Sequence, residues 1–259
     1  MIGPLPYIGG KRRLAKRLLS LIPEHIAYVE PFAGGAQVFF HKPRSDVEIL
    51  NDLDGDVVNF LRICQRHPHE FARLLRFQPA SRRLFEQHQA PLPADATDIE
   101  RAVRFFYLQK NAWSGRRRRQ NFRVAAIARA NYSPASLPKR LVEVADRLAE
   151  VHLEGLPYEE VLARYDRPTT FFYCDPPYVG VDLYQHNFTD TQFEQLAERL
   201  AGLRGRFLLS LNDCPKARDW FGAFHQTEVT FTYTAMRTPR PFRELLFANF
   251  PLPTVLPAP

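Results

Sequence analysis

Cysteine is scarce in this sequence: Cys64, Cys174 and Cys214 are the only three among 259 residues. They are far apart, odd in number and form no C-x-x-C pair, so the sequence indicates neither a disulfide framework nor a zinc site. His67 and His69 flank a proline, and we expect no metal to bind there. Unpaired thiols fit a reducing compartment, and a cytoplasmic location is expected.

Long apolar runs are also missing. No run approaches the ~20 residues that cross a bilayer, and the basic residues near the amino terminus fall inside an amphipathic segment, 11–21, unlike those of a signal peptide. Two phosphate-binding patterns are incomplete. The chain has no G-x-G-x-x-G fingerprint, and Gly9-Gly10-Lys11 does not complete G-x-x-x-x-G-K-[ST]. These absences argue against a membrane protein and against a dinucleotide or nucleotide-phosphate site.

Positive charge is concentrated in the middle of the chain. Lys and Arg number 35 against 28 Asp and Glu, a net charge of +7. Residues 61–150 hold 18 basic and 8 acidic residues, so the rest of the chain is slightly acidic. Four consecutive arginines, Arg116, Arg117, Arg118 and Arg119, lie in this segment, whereas an ordinary solvated face mixes both signs of charge. The segment predicts a surface that binds a polyanion.

Apolar runs alternate with helical patterns on both sides of that segment. The pattern predicts an α/β fold with an open, mainly parallel sheet that ends in an antiparallel hairpin. The range 68–165 breaks the alternation and predicts a mostly helical insert, with 1–67 and 166–259 forming the main domain. Predicted strands lie at 26–29, 47–50, 171–174 and 207–211 and in the hairpin 228–233 and 244–250, and predicted helices lie at 36–41 and 189–203.

Three polar clusters follow predicted strands, at Glu30 to Gly35, at Asn51-Asp52 and at Asp175 to Tyr178. Ligands of open α/β sheets bind at the carboxyl ends of strands. Glycines let a ligand approach the backbone closely, and Asp52 lies 17 residues beyond Gly35, near the offset of a ribose-binding acid. The first two clusters together predict a site for a nucleoside-type cofactor.

Asp175-Pro176-Pro177-Tyr178 carries the most specific chemistry. An aromatic amine is a weak nucleophile because its lone pair is delocalised into the ring. A carboxylate and a backbone carbonyl that accept its two N–H groups would localise that lone pair. Two prolines stiffen the turn, and the neighbouring aromatic ring can stack on a base.

The chain resembles the DNA adenine methylases of the Dam type, in the motif order of the α group of amino-methyltransferases. The resemblance covers nearly the whole chain and is carried by five segments, Pro6 to Lys11, Tyr28 to Gly35, Asn51 to Asp56, Phe105 to Leu108 and Phe171 to Tyr178. It implies a Rossmann-like S-adenosylmethionine-dependent methyltransferase fold, with the insert as the target-recognition domain. Tyr7 stands where the family commonly has Trp.

Particular roles follow from the resemblance. It implies methylation of the N6 amine of adenine in double-stranded DNA after the base has left the stack. Tyr178 would stack on that base, and Asp175 would act as an orienting acceptor, since an ordinary Asp pKa lies near 3.9. The expected catalytic residues are Asp175, Pro176 and Tyr178; the expected cofactor-binding residues are Tyr7, Lys11, Glu30, Phe32, Gly34, Asp52 and Asp175; and the expected DNA-binding residues are Arg116, Arg117, Arg118, Arg119 and Asn121.

Other functions fit parts of the pattern. Methylation of cytosine N4 uses the same geometry, although its families more often have Ser at the position of Asp175, and RNA adenine or protein glutamine methylases usually have Asn there. A silent DNA-binding module with a methyltransferase fold would have no reason to keep Lys11, Asp52 and Asp175 together. We expect a monomer without an obligate protein partner.

Overall fold

The computed structural model describes residues 3–5, 11, 14–112, 117–123, 134–233 and 240–253. A single seven-stranded sheet forms its centre, in the order β3-β2-β1-β4-β5-β7-β6. The strands are β1 (Ala27–Glu30), β2 (Val47–Asn51), β3 (His152–Glu154), β4 (Thr170–Cys174), β5 (Arg206–Asn212), β6 (His225–Tyr233) and β7 (Arg240–Ala248). No helix in the described ranges is long and apolar enough to span a membrane.

Strands β3, β2, β1, β4 and β5 run parallel to one another. Strand β7 pairs antiparallel with both β5 and β6. Val29 on β1 is in register with Ile49 on β2 and with Phe172 on β4. The inner strands are mostly buried because helices cover both faces of the sheet. This topology confirms the predicted Rossmann-like α/β fold with a terminal antiparallel hairpin.

Ten helices among the described residues flank the sheet. They are α1 (Ala15–Leu19), α2 (Gln37–His41), α3 (Gly55–Arg66), α4 (Pro68–Leu75), α5 (Arg82–Gln89), α6 (Asp98–Asn111), α7 (Leu137–Leu148), α8 (Tyr158–Tyr165), α9 (Asp190–Ala201) and α10 (Pro215–Phe221). Alternate strand residues point to opposite faces. Tyr28 and Phe171 pack with the core side chains of α1 to α7, whereas Val29 and Phe172 pack with those of α8 to α10.

The helical segment in the middle of the chain shares a buried core with one face of the sheet. Phe71 of α4, Phe106 of α6 and Leu141 of α7 belong to the same buried cluster as Tyr28 and Phe171. The range 68–165, expected to form the insert, also contains β3 and α8. Strand β3 pairs with β2, and α8 covers the second face of the sheet. Strand β3 has only three residues and none of them is buried, so no apolar alternation marks it in the sequence.

Candidate active site

The three polar clusters of the sequence meet at one edge of the sheet. Strands β2, β1 and β4 are neighbours in the sheet and parallel, so their carboxyl ends lie side by side. Glu30, Asp52 and Asp175 follow or end these strands, and all three line one cavity of about 250 Å³. Lys11 from the amino-terminal segment lines the same cavity. The structure therefore brings the candidate cofactor residues and the candidate catalytic residue into one site.

Asp52 is fixed by the turn that precedes α2. Its carboxylate accepts hydrogen bonds from the backbone N–H groups of Gly34, at 2.7 Å, and Asp54, at 2.8 Å. Gly34 has φ of 47°, a left-handed conformation that glycine adopts without strain. Burial raises the pKa of Asp52 to about 6, although both N–H groups favour the charged form. The carboxylate is held at the wall of the cavity as an acceptor.

Glu30 ends β1 and is buried. It accepts hydrogen bonds from the Tyr28 hydroxyl at 2.7 Å and from the Phe39 N–H at 2.9 Å. Burial raises the pKa of Glu30 to about 8. Both bonds tie the side chain to the fold, so Glu30 supports the floor of the cavity as well as lining it.

Phe32 belongs to an aromatic wall of the cavity. Its ring centroid lies 5.3 Å from that of Tyr158 and 5.8 Å from that of Phe188, and all three residues line the cavity. The sequence analysis did not single out Tyr158 or Phe188. Tyr158 begins α8, which was assigned to the insert, and Phe188 precedes α9 by two positions.

Asp175 follows β4 and is held by two donors. Its Oδ1 accepts from Lys11 Nζ at 2.6 Å and from Ser210 Oγ at 3.1 Å. Among the described residues none donates a hydrogen bond to the other oxygen, Oδ2, and the Asp175 side chain is 21% exposed. Burial raises the pKa of Asp175 above its usual range, although Lys11 and Ser210 favour the carboxylate. Asp175 is thus more basic than the ordinary aspartate that the sequence analysis assumed.

Lys11 joins Asp175 to Tyr178. Its Nζ donates to the Tyr178 hydroxyl at 2.7 Å, and that hydroxyl donates to the carboxylate of Glu244. Burial disfavours the ammonium form, but Asp175 and Glu244 outweigh this effect and the pKa of Lys11 is raised. The sequence analysis named neither Ser210 nor Glu244 as a site residue. Ser210, a buried polar residue inside the apolar strand after the Asp-Pro-Pro-Tyr turn, was the available signal.

The arginine run divides into two kinds of residue. Arg117 is 9% exposed and binds Asp54, at 2.7 Å, and Asp56, at 2.9 Å. It was expected to bind DNA, but its guanidinium is engaged by these two carboxylates. Arg118 and Arg119 are exposed and lie 2.5 Å and 3.5 Å from Asp182. The expected DNA-binding residue Asn121 is exposed. Two further candidate residues, Tyr7 and Arg116, lie outside the described residues.

The lining of the cavity fits S-adenosylmethionine. The lining holds the acidic side chains of Asp52 and Asp175 and the single ammonium of Lys11, and acidic oxygens suit a ligand with a sulfonium and an ammonium group. With the cofactor bound, Asp52 would accept ribose hydroxyls and the Phe32 wall would offer apolar surface to an adenine ring. In the described ranges no group of three or more His, Cys, Asp or Glu side chains could hold a metal ion.

A mainly parallel open sheet with a cavity at the carboxyl ends of β1, β2 and β4 is the Rossmann-like arrangement that binds nucleoside-type ligands. Residues 7–235 match the family described as D12 class N6 adenine-specific DNA methyltransferase, and the chain belongs to this family. It is an enzyme that transfers a methyl group from S-adenosylmethionine to the N6 amine of adenine in DNA.

Curated proteins of this kind are similar over most of their length. The DNA adenine methylase of Escherichia coli (strain K12) is 26% identical over 232 residues, which cover 84% of this chain and 83% of that protein. The DNA adenine methylase of Salmonella typhi is 25% identical with the same coverage. The Type II methyltransferase M.CviBI of Paramecium bursaria Chlorella virus NC1A is 22% identical over 88% of this chain and 89% of that protein.

Proposed function

We propose that Asp175 orients the exocyclic amine of a flipped adenine for methyl transfer, in double-stranded DNA bound by a monomer of this chain. One observation carries the proposal. Oδ1 of Asp175 is engaged by Lys11 and Ser210, whereas Oδ2 has no donor among the described residues and the side chain remains partly accessible beside the cofactor cavity. One oxygen is therefore fixed by the protein and the other is left for a substrate N–H.

The chemistry follows from this arrangement. An N–H···Oδ2 bond and a second bond to the backbone carbonyl of Pro176 would withdraw the amine from conjugation and localise its lone pair. S-adenosylmethionine, when bound, supplies an electrophilic methyl group. The amine nitrogen would form a bond to that methyl group as the sulfonium S–CH3 bond breaks, which leaves a neutral thioether. One proton of the now positively charged amine would pass to Asp175. Burial has raised the pKa of Asp175, so the carboxylate is a better acceptor for this proton than an exposed aspartate.

The target base has to leave the duplex to reach Asp175, which costs a few kcal/mol. Stacking of the base on the Tyr178 ring would return roughly 1–3 kcal/mol. The hydroxyl of Tyr178 is held by Lys11 and Glu244, so the ring is fixed before the base arrives. The exposed arginines Arg118 and Arg119 belong to the basic segment that we assign to contact with the duplex.

Substitution of Asp175 tests the proposal. We expect Asp175→Ala to lower single-turnover methyl transfer by at least ~10³-fold, with unfolding temperature and DNA affinity close to those of the wild type, because the loss falls on the reacting amine. Asp175→Asn keeps one acceptor oxygen but is a weaker proton acceptor, and a partial loss is expected. Asp190→Asn, which alters an aspartate that is 56% exposed on α9, is the matched control. Transfer by Asp175→Ala within tenfold of wild type would contradict the assignment.

Substrate form and oligomeric state need separate measurements. A duplex with 2-aminopurine at the target adenine should gain fluorescence when the protein binds, because flipping unstacks the base. Sequencing of modified bases in DNA from a methylation-free strain that expresses this chain identifies the target site. Light scattering of the protein alone and on a short duplex should give one chain per particle. An unchanged fluorescence signal, or transfer confined to single strands, would refute the duplex-flipping step.

A further inference from the structure

Glu244 is a buried carboxylate beside the catalytic turn. It lies near the middle of β7, in register with Asn212 of β5 and Val229 of β6, and it is 1% exposed. One oxygen, Oε1, accepts the hydroxyl proton of Tyr178 and lies 3.7 Å from Lys11 Nζ. The other oxygen, Oε2, is buried without a hydrogen-bond partner in the part of the chain that the structure describes. A buried carboxylate with one unsatisfied oxygen is costly, which points to a role beyond packing.

A continuous chain of contacts links Glu244 to Asp175. Lys11 Nζ donates both to Asp175 Oδ1, at 2.6 Å, and to the Tyr178 hydroxyl, at 2.7 Å. The Tyr178 hydroxyl in turn donates a hydrogen bond to the carboxylate of Glu244. The ammonium of Lys11 therefore lies between two carboxylates, closer to Asp175 than to Glu244. When Lys11, Asp175 and Glu244 are ionised and Tyr178 is neutral, the cluster carries one net negative charge.

We propose that Glu244 is a positioning residue for methyl transfer. It fixes the Tyr178 hydroxyl, and with it the ring that stacks on the base. It also attracts the Lys11 ammonium from the side opposite Asp175. The ammonium is therefore held at Oδ1 of Asp175 and leaves Oδ2 open to the adenine amine. This inference rests on the proposed role of Asp175. Glu244 itself is not among the residues that line the cofactor cavity.

The electrostatics of the cluster make the role measurable by its pH dependence. Burial raises the pKa of Glu244, against the opposing effect of Lys11, and the nearby Asp175 raises it further. Charged or titratable groups reach Glu244 from the amino-terminal segment, from β4 and from the turn after it, whereas its register partners on β5 and β6 are neutral. These groups are Lys11, Tyr173, Asp175 and Tyr178. Repulsion between two carboxylates is mutual, so we expect removal of the Glu244 charge to favour the ionised form of Asp175.

The test compares Glu244→Gln, Glu244→Asp and the control Glu228→Gln, which alters a half-exposed glutamate of β6 paired with Arg218. We expect Glu244→Gln to lower the single-turnover rate by about 10- to 100-fold, the range for residues that orient a reacting group. The dissociation constants for S-adenosylmethionine and DNA should stay within about threefold. The acid limb of the pH–rate profile should move to lower pH. Glu244→Asp keeps the charge, and it should restore part of the rate and the wild-type acid limb.

Two results would overturn the proposal: a Glu244→Gln rate within threefold of wild type, or a lower rate with an unmoved acid limb, which is what a packing defect alone would give. If Glu244→Gln fails to fold, Glu244→Asp decides. A reduced rate at a wild-type unfolding temperature supports the positioning role, whereas an unchanged rate, or a reduced rate with a lower unfolding temperature, overturns it. Failure of the Asp175 assignment is seen separately, as an active Asp175→Ala variant. An inactive Asp175→Ala beside a fully active Glu244→Gln refutes only the role of Glu244.

Discussion

Individual carboxylates of the cavity hold their protons more tightly than exposed carboxylates do. Burial, which disfavours the charged form, raises the pKa of Asp52 to about 6 and that of Glu30 to about 8. The two residues differ in what holds them. Asp52 is bound by the backbone N–H groups of Gly34 and Asp54, whereas Glu30 is bound by Tyr28 and Phe39 inside the fold. Cofactor binding should therefore depend on pH mainly through Asp52.

We expect the affinity for S-adenosylmethionine to fall as the pH drops through about 6, because the raised pKa means that Asp52 is protonated below that point and accepts ribose hydroxyls less well. Calorimetric titrations between pH of about 5 and about 8 measure this. Asp52→Asn should bind more weakly and lose the dependence near 6. Glu30→Gln, which alters the other buried carboxylate, should keep it. The same pH dependence in Asp52→Asn as in wild type would assign the titration to another group.

At the scale of elements, Arg117 of the arginine run binds the start of α3. Asp54 caps this helix by accepting the N–H of Asp56 at 3.0 Å, and its N–H donates to Asp52. Arg117 neutralises Asp54 and Asp56 and lies with its guanidinium 4.6 Å from the centroid of the Phe105 ring. Arg117 therefore stabilises the start of α3, the helix that follows Asp52.

Arg117→Ala should lower the free energy of unfolding by about 3 kcal/mol, because it leaves Asp54 buried without its counter-ion. Chemical denaturation measures the change. Arg118→Ala, on an exposed neighbour, is the matched control and should change stability by less than about 1 kcal/mol. Equal, small effects of both substitutions would show that the buried ion pair does not stabilise the fold.

The whole molecule is polarised in charge. Residues 61–150 carry a strong positive excess, while the cofactor cavity in the slightly acidic remainder is lined by several carboxylates. A basic surface draws a duplex through counterion release, and an acidic cavity suits a cationic cofactor. Helices α4 to α7 pack in the same core cluster as β1 and β4, so these helices of the basic segment are part of the folded core.

The double variant Arg118→Ala/Arg119→Ala should weaken DNA binding and flatten its salt dependence, with the log–log slope falling by roughly 0.9 for each lost phosphate contact. Salt titrations on target and scrambled duplexes measure this. Equal losses on both duplexes indicate phosphate contact, and a loss of about 1–3 kcal/mol on the target alone indicates base reading. Unchanged binding to both would place the DNA surface elsewhere, for example around Arg82-Arg83 or Lys139-Arg140.

The sequence by itself determined six of the seven strands, the turns after β1, β2 and β4, and the chemistry of Asp175-Pro176-Pro177-Tyr178. These features are local. A buried strand needs a short apolar run, and a glycine turn or proline pair shows its backbone preference wherever it occurs. The parallel order of the sheet then places Glu30, Asp52 and Asp175 at one edge, so most of the cavity was predictable.

Only the tertiary structure decided which distant groups complete the site. Glu244 reaches Tyr178 because β7 lies between β5 and β6. Arg117 binds Asp54, at the start of α3, although the two residues are far apart in sequence. The short β3 joins the sheet through β2 without an apolar pattern of its own. The raised pKa values of Asp52 and Asp175 come from burial. Partners far apart in sequence and the loss of solvent around a carboxylate are products of packing, and no local pattern of residues records them.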